Sequence, residues 1–318
     1  GRAGDLADER DRKIYRLFEI IPGILTWATF AVIILASRLA PVWVAFFIIA
    51  FDLYWLVKTV YLSLHLRANW KKIRHYIELD WQERLNNFKY NHLWQMVMLP
   101  FYKEDLEVIS ATIDSLLDAK YDKKKMMIVL AYEERAGEEA EEKAKAAMQK
   151  YNDKFAHFII IKHPKNLEGE IPGKGSNLAF AAKEAKEKIL DANGIKYEDV
   201  LVSAFDIDTR AYPQYFLCLT WHFLTCEKPY LSSFQPVPVY NNNIWDAPAP
   251  SRVVATSGTF WQMIQQERPE RLATFSSHSL SFKALYEIGY WQRNMVNEDS
   301  RIFWNALLHY DGDYDVVP

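Results

Sequence analysis

Hydrophobic and polar residues follow three different rhythms along this chain. From Ile20 to Ser37 there is no charged residue, and Leu39 to Phe51 is a second charge-free run that continues through Asp52 and Lys58 to Leu66. Within the first run Trp27, Phe30, Val32, Ile33, Ile34 and Leu35 are apolar all around a helix rather than striped along one face, which suits a helix with no water on any side. A bilayer core needs about 20 apolar residues in helix. The first run meets that length, and the second does so if Asp52 and Lys58 are tolerated. The pattern therefore predicts a transmembrane helical hairpin over 20–66 behind a cytosolic tail over 1–19. A signal peptide fits poorly, because the run is too long and lacks a small-residue cleavage site. A buried hairpin of a soluble protein is the competing reading.

The rhythm then changes. Trp70, Ile73, Ile77, Trp81 and Leu85 recur at helical spacing, with Lys71, Lys72, Arg74 and Arg84 elsewhere on the wheel. This predicts an amphipathic interfacial or linker helix over 67–92. From 93 onward short apolar runs alternate with helical patterns. Strands are expected at Trp94–Leu99, Met126–Ala131, Phe158–Ile161 and Val200–Val202. Helices are expected over Leu106–Leu117, over the charged segment 138–150, and from Ser176. Such alternation implies an α/β domain over 93–318 with a mixed, mostly parallel sheet flanked by helices, whose ligands bind at the carboxyl ends of the strands. The Pro/Asn-rich stretch from Gln235 to Pro250 reads as a long loop over a site.

Charge orients the hairpin. Arg2, Arg10, Arg12, Lys13 and Arg16 precede the first run, Arg67, Lys71, Lys72 and Arg74 follow the second, and the link between them holds Arg38. The positive-inside rule puts both ends in the cytosol. The expectation is a multi-pass protein of the cell (inner or plasma) membrane with a cytosolic catalytic domain. A carboxylate at the bilayer centre costs about 2.5–3.5 kcal/mol on insertion scales, so Asp52 is expected to face further membrane helices or a partner chain. Half of the 318 residues are hydrophobic, enough for a sizeable core, and the net charge of −3 offers no pull toward nucleic acid. The two cysteines, Cys218 and Cys226, lie in an apolar stretch and are expected to be buried free thiols.

Candidate chemistry sits where strands end. Asp206-Ile207-Asp208 directly follows the fourth strand. Two carboxylates one residue apart can reach one hard cation, Mg²⁺ or Mn²⁺, while Ile207 turns back into the core. Pro100-Phe-Tyr102-Lys-Glu104 follows the first strand: Pro100 is expected to end it, leaving Tyr102 and Glu104 for a base and its ribose, or simply forming a turn with a helix-start glutamate. Gly169-Glu-Ile-Pro-Gly173-Lys174-Gly175-Ser176-Asn177 combines glycines, a positive charge and a helix N-terminus, which suits an anion. It fails the P-loop spacing. Asn297-Glu298-Asp299 opens a helix either as an ordinary cap with acidic first turn or as the source of a base.

Taken in order, these motifs resemble the family 2 inverting glycosyltransferases, the group of cellulose and hyaluronan synthases. The resemblance covers about 93–318 and includes Phe275-Ser-Ser-His-Ser-Leu-Ser-Phe282-Lys283 and Glu287-Ile-Gly289-Tyr-Trp291. It implies a GT-A fold and a nucleotide-diphosphate sugar donor, foremost a UDP-sugar. It further implies inversion at the anomeric carbon and a glycan or lipid-linked acceptor offering a hydroxyl or phosphate. In those terms Asp208 ligates the metal and Asp206 contacts the nucleotide or sugar. Asp299 is the base and Glu298 orients it. Lys174 and Asn177 hold the donor with Pro100, Tyr102 and Glu104. Ser277 and His278 line the acceptor pocket. Where the family ends its second strand with an aspartate that reads uracil, this chain has Ala131-Tyr-Glu133-Glu-Arg135, so Glu133 must substitute. A Gln-x-x-Arg-Trp motif is absent, and Tyr314-Asp-Val-Val-Pro318 resembles the strand leading to further membrane helices, so a truncated chain is expected. The rival readings are a metal-dependent nucleotidyl- or phosphotransferase and a non-catalytic nucleotide- or sugar-binding module.

Overall fold

In the computed structural model, residues 3–242 and 244–318 are described; Arg2 of the basic tail lies outside them. The chain divides into two compact units, the first ending at Arg67 and the second spanning Ala68–Pro318.

The first unit is helical. Helix α1 (Glu9–Leu39) starts well before the apolar run, because the Asp8 carboxylate accepts the amides of Arg10 at 2.8 Å and Asp11 at 2.9 Å. A capped, acidic first turn is a good helix start, so most of the expected tail is helix. Pro22 lies inside α1, and Thr26 Oγ donates to the Pro22 carbonyl at 2.8 Å. Helix α2 (Pro41–Glu78) begins with a proline that needs no N–H partner there. Both helices are long and apolar enough to cross a membrane. Their apolar side chains are mostly exposed: α1 buries none, and the single buried residue of α2 is Asn69.

The helix expected over 67–92 is corrected. Its first part is the end of α2; the chain then turns at Leu79, and Asp80 caps a separate short helix, α3 (Trp81–Leu85), by accepting the Gln82 amide at 3.0 Å. The wheel divides accordingly. Trp81 and Leu85 are buried, whereas Trp70 and Ile77 remain exposed.

The second unit is built on strand β1 (Trp94–Phe101), helix α4 (Leu106–Asp118), strand β2 (Met126–Glu133), helix α5 (Glu138–Tyr151) and strand β3 (His157–His163). Helix α6 (Lys174–Ala185), strand β4 (Val200–Ala204), helix α7 (Tyr215–Thr225) and strand β5 (Ser232–Phe234) follow. Helix α8 (Ala249–Gln266), strand β6 (Ser279–Ser281), helices α9 (Phe282–Glu287) and α10 (Glu298–His309), and strand β7 (Asp315–Val317) complete it. The strands form one seven-stranded sheet in the order β3-β2-β1-β4-β6-β5-β7. β3, β2, β1 and β4 are mutually parallel; β6 runs antiparallel to β4 and β5, and β7 is parallel to β5.

The parallel strands alternate two apolar faces, as a sheet covered on both sides requires. Val97, Leu99, Ile128 and Leu130 pack in one cluster with α4 and α5. Met96, Met98, Met127 and Val129 pack in the other with α6 and α9. Two expectations change in detail. Pro100 does not end β1, which pairs on to Phe101 opposite Tyr132. Beyond Met98, however, β4 has stopped pairing, so Pro100 occupies a stretch with one strand neighbour, where its missing N–H costs no ladder bond. The long loop ends at Pro248, where α8 begins.

Candidate active site

Three elements bring charged groups to one place at the carboxyl edge of the sheet. Asp206 and Asp208 leave β4, with Ile207 between them buried and its carbonyl accepting the Thr112 hydroxyl at 2.5 Å. Glu298 and Asp299 form the first turn of α10, though Asn297 makes no side-chain capping bond. Lys174 is the first residue of α6. Its ammonium lies 2.7 Å from Asp206 Oδ1, 2.8 Å from Asp299 Oδ2 and 3.8 Å from Glu298 Oε1.

The loop before α6 explains how Lys174 is held. Glu170 pairs with His163 at the end of β3 (2.9 Å) and with Arg293 (2.8 Å). The Ile171 amide donates to the Arg293 carbonyl at 2.9 Å, and Ser176 Oγ donates to the Ile171 carbonyl at 2.8 Å. Gly175 is required by close approach: a Cβ there would lie 2.8 Å from both the Gln292 carbonyl oxygen and Glu298 Cβ. Without that glycine the start of α6 could not seat against the start of α10. Asn177 ties α6 to the end of β2, its Nδ2 donating to the Ala131 carbonyl at 3.1 Å.

The charges respond to this geometry. Burial opposes the charge on Lys174, but Asp299 and Asp206 outweigh it and raise its pKa. Asp206 loses hydration as well, yet the ammonium and the Ser276 hydroxyl hold it below the ordinary aspartate value. Asp208 goes the other way, raised by burial and by repulsion from Asp206 and Glu104. Burial and the neighbouring Asp299 raise Glu298.

At the rim, Glu133 is buried at the end of β2 and pairs with Arg135, whose Nη2 donates to Oε1 at 2.9 Å. The Arg135 guanidinium lies 4.3 Å from the Tyr102 ring centroid. Glu104 accepts the amides of Tyr102 (2.7 Å) and Lys103 (3.0 Å), so it closes the turn after β1 rather than starting α4. Asp105 is the residue at that helix's N-cap.

The turn before β6 forms the opposite wall. Ser277 has φ of 65° and contacts Thr209 Oγ1 at 3.2 Å. His278 is fully buried: Trp291 Nε1 donates to its Nε2 at 3.3 Å, which leaves Nδ1–H to donate to the Phe275 carbonyl at 3.0 Å. Burial lowers its pKa, and its Nδ1 is 3.7 Å from Asp299 Oδ1. It props the wall from behind.

The sequence motifs include Ser276 and Arg135 but assign them no role, and they do not reach Asn242 or Tyr240. Asn242 Nδ2 donates to the Asp208 carbonyl at 2.6 Å. The Tyr240 phenol is raised by burial and by Asp206 and Asp299, which puts it in electrostatic reach of the same carboxylates. These residues stand in loops or, for Arg135, in a single helical turn, where spacing carries no signal. Of the cysteines, both are free but only half-buried, and burial pushes the Cys218 thiol up to about 12. Among the described residues, no three His, Cys, Asp or Glu side chains form a ready-made metal cage.

The sequence matches no family model and no curated protein. Solved structures similar to the chain include the mannosyltransferase PcManGT from Pyrobaculum calidifontis in complex with GDP-Man and Mn²⁺, at 13% identity and a TM-score of 0.46, over 82% of this chain and 64% of that one. S. aureus TarS (1–349) in complex with UDP-GlcNAc is similar at 14% identity and a TM-score of 0.42, over 71% of this chain and 56% of that one. The chain thus spans less than two thirds of either.

Proposed function

We propose that the chain is a membrane-anchored inverting glycosyltransferase of family 2 type and GT-A fold, moving a sugar from a nucleotide-diphosphate donor to a hydroxyl-bearing acceptor. The observation that carries this reading is the meeting of Asp206 and Asp299 on one ammonium, at 2.7 and 2.8 Å, from residues far apart in the chain. Such a cluster at the carboxyl edge of a parallel sheet is where that fold class binds ligands.

In the reaction the acceptor oxygen attacks the anomeric carbon, its proton passes to Asp299, and the bond from that carbon to the diphosphate oxygen breaks. Glu298, buried beside Asp299, orients the base. Lys174 is placed to trade part of its contact with Asp299 for the donor's diphosphate, which frees the base when donor is bound. Asp206 and Asp208 suit a hard cation, since their mutual repulsion is relieved by one, and Mg²⁺ is commonly held by one or two carboxylates plus substrate phosphates. When bound there, Mg²⁺ or Mn²⁺ would neutralise charge on the departing diphosphate. Tyr102 and Glu133 form the base side of the donor site, and the turn at Ser277 faces the acceptor. Helices α1 and α2 anchor the chain in the membrane, with the catalytic unit on the cytosolic side.

The test uses a donor labelled in the sugar. Asp299→Asn is expected to lower label transfer about 100- to 10,000-fold, the range for loss of a general base, while donor binding persists. Undiminished transfer would refute the assignment. Label arriving on product from the nucleotide instead would favour a nucleotidyltransferase.

A further inference from the structure

Helix α8 leaves much of its apolar surface uncovered. Its exposed side chains include Val253 at 67%, Val254 at 72%, Phe260 at 47% and Trp261 at 48%, while Thr259, Gln262 and Gln266 are buried beside Met263 and Ile264. Positions 253, 254, 257, 260 and 261 fall on one face of a helix, so the exposed apolar residues form a stripe, with Ser257 between them. In water this arrangement is unfavourable. It becomes favourable when the stripe meets an apolar phase.

The buried polar face has a definite use. Gln266 Nε2 donates to the Gln235 carbonyl at 2.8 Å, and Thr259 Oγ1 donates to the Pro238 carbonyl at 3.1 Å. The Phe275 amide donates to Gln235 Oε1 at 2.6 Å, and Gln235 Nε2 donates to the Ser276 carbonyl at 3.2 Å. Ser276 in turn bonds Asp206, and Asn242 bonds the Asp208 carbonyl. Helix α8 therefore holds the strap 235–242, which bonds the Asp208 backbone through Asn242 and reaches Asp206 by way of Ser276.

We propose that the apolar stripe of α8, together with Trp245, rests on a lipid surface, and that this contact sets the position of the 235–242 strap at the site. Three observations select lipid as the occupant. The stretch from Ala247 to Gln266 contains no acidic residue and one basic one, Arg252, so the stripe itself offers no repulsion to anionic headgroups, and Arg252 offsets the exposed Asp246 beside Trp245. Trp245, 78% exposed and stacked under Arg252 at 5.3 Å, and Trp261 supply the amphipathic aromatics that favour the headgroup level. The two candidate spans of α1 and α2 directly precede this unit and are followed by Arg67, Lys71, Lys72 and Arg74. A tethered unit meets the bilayer at high effective concentration, so a modest stripe suffices. The inference rests on the membrane anchoring proposed above and is independent of the sugar-transfer chemistry.

The test is a nitroxide placed by Val254→Cys in the full chain, reconstituted in nanodiscs of mixed neutral and anionic lipid. The parent chain, with Cys218 and Cys226, supplies the background to subtract. Glu142→Cys, exposed on the charged helix α5, is the control. The expected result is relaxation of the label at 254 by oxygen several-fold more than by a water-soluble nickel chelate, with the reverse at 142. Equal nickel access at both positions overturns the proposal. Shielding of 254 from both reagents also overturns it, because the occupant is then protein. In a second arm, Trp261→Glu is expected to lower sugar transfer several-fold in nanodiscs but little in detergent; an equal effect in both removes the link to the strap. A label in lipid with no sugar transfer by the parent chain leaves the surface standing and sinks the glycosyltransferase reading instead.

Discussion

At the centre of the cleft, Lys174 lies within 2.8 Å of two carboxylates from different elements. At the rim, Asp208 has Asp206 and Glu104 as repelling neighbours, and Lys174 only as the weakest compensation. The centre thus carries its own counter-ion, while the rim keeps negative charge that the chain does not neutralise. Folding is favoured by the first arrangement, and ligand capture by the second. A cation brought with a diphosphate would find its place prepared on the Asp208 side without first dismantling the Lys174 cluster.

Removing the counter-ion tests this contrast most severely. Lys174→Met leaves Asp206, Glu298 and Asp299 facing one another, and losing one partner of a buried ion pair costs about 3–5 kcal/mol. With Lys174 still 21% exposed, about 3 kcal/mol is expected in chemical or thermal unfolding, and added Mg²⁺ or Mn²⁺ should restore part of it. Next in size is Gly175→Ala. Its Cβ would press on the Gln292 backbone, which cannot swing aside, and such overpacking costs about 1–3 kcal/mol. Donor binding should fall with it, because the start of α6 must shift.

The two aspartates should differ in sign with pH. The lowered pKa of Asp206 means that its ionised form stabilises the fold above the unfolded value of 3.8, and that this contribution is lost as pH falls through the folded value. Asp206→Asn should therefore be less stable than the parent at neutral pH, with the gap closing in acid. Asp208 is raised, so ionised Asp208 costs stability above its folded pKa and costs nothing below 3.8. Asp208→Asn should be the more stable chain at neutral pH in the absence of metal, with its advantage vanishing in acid. Melting curves of the three chains across that range check both signs; parallel curves would erase the distinction between centre and rim. The smallest effect is expected from Ser277→Gly. Relief of the left-handed backbone at φ 65° competes with the lost contact to Thr209 and with glycine's entropy. The net is a gain under about 1 kcal/mol by thermal unfolding.

The parallel half of the sheet was legible because β1, β2 and β4 are buried on both faces and read as unbroken apolar runs. The other half was not. Strands β5 and β6 are three residues each and rich in serine, and their hydroxyls are satisfied laterally, Ser203 with Ser279 and Ser233 with Tyr314, both at 2.7 Å. A polar run buried in this way looks like a turn. Helix α8 escaped for a different reason: Gln262 and Gln266 are inside with Met263 and Ile264 while Val253 and Val254 are outside, so no clean apolar stripe marks its packed face. At the site, Asp206, Asp208, Glu298, Asp299 and Lys174 were all named from motifs and do come together. Sequence could not show that Lys174 would sit between two carboxylates, or that Glu104 would turn one oxygen onto two backbone amides. Both outcomes depend on distances between segments that spacing does not encode.

The Trp291–His278–Phe275 chain has a kinetic consequence. Because an indole can only donate, the imidazole is fixed as a single tautomer with both nitrogens occupied inside the protein. It can neither accept a proton from a bound acceptor nor relay one to solvent without breaking a buried contact. Any bell in the rate profile between weakly acidic and neutral conditions would then report carboxyl groups, and the histidine behind the turn at Ser277 would be silent in it.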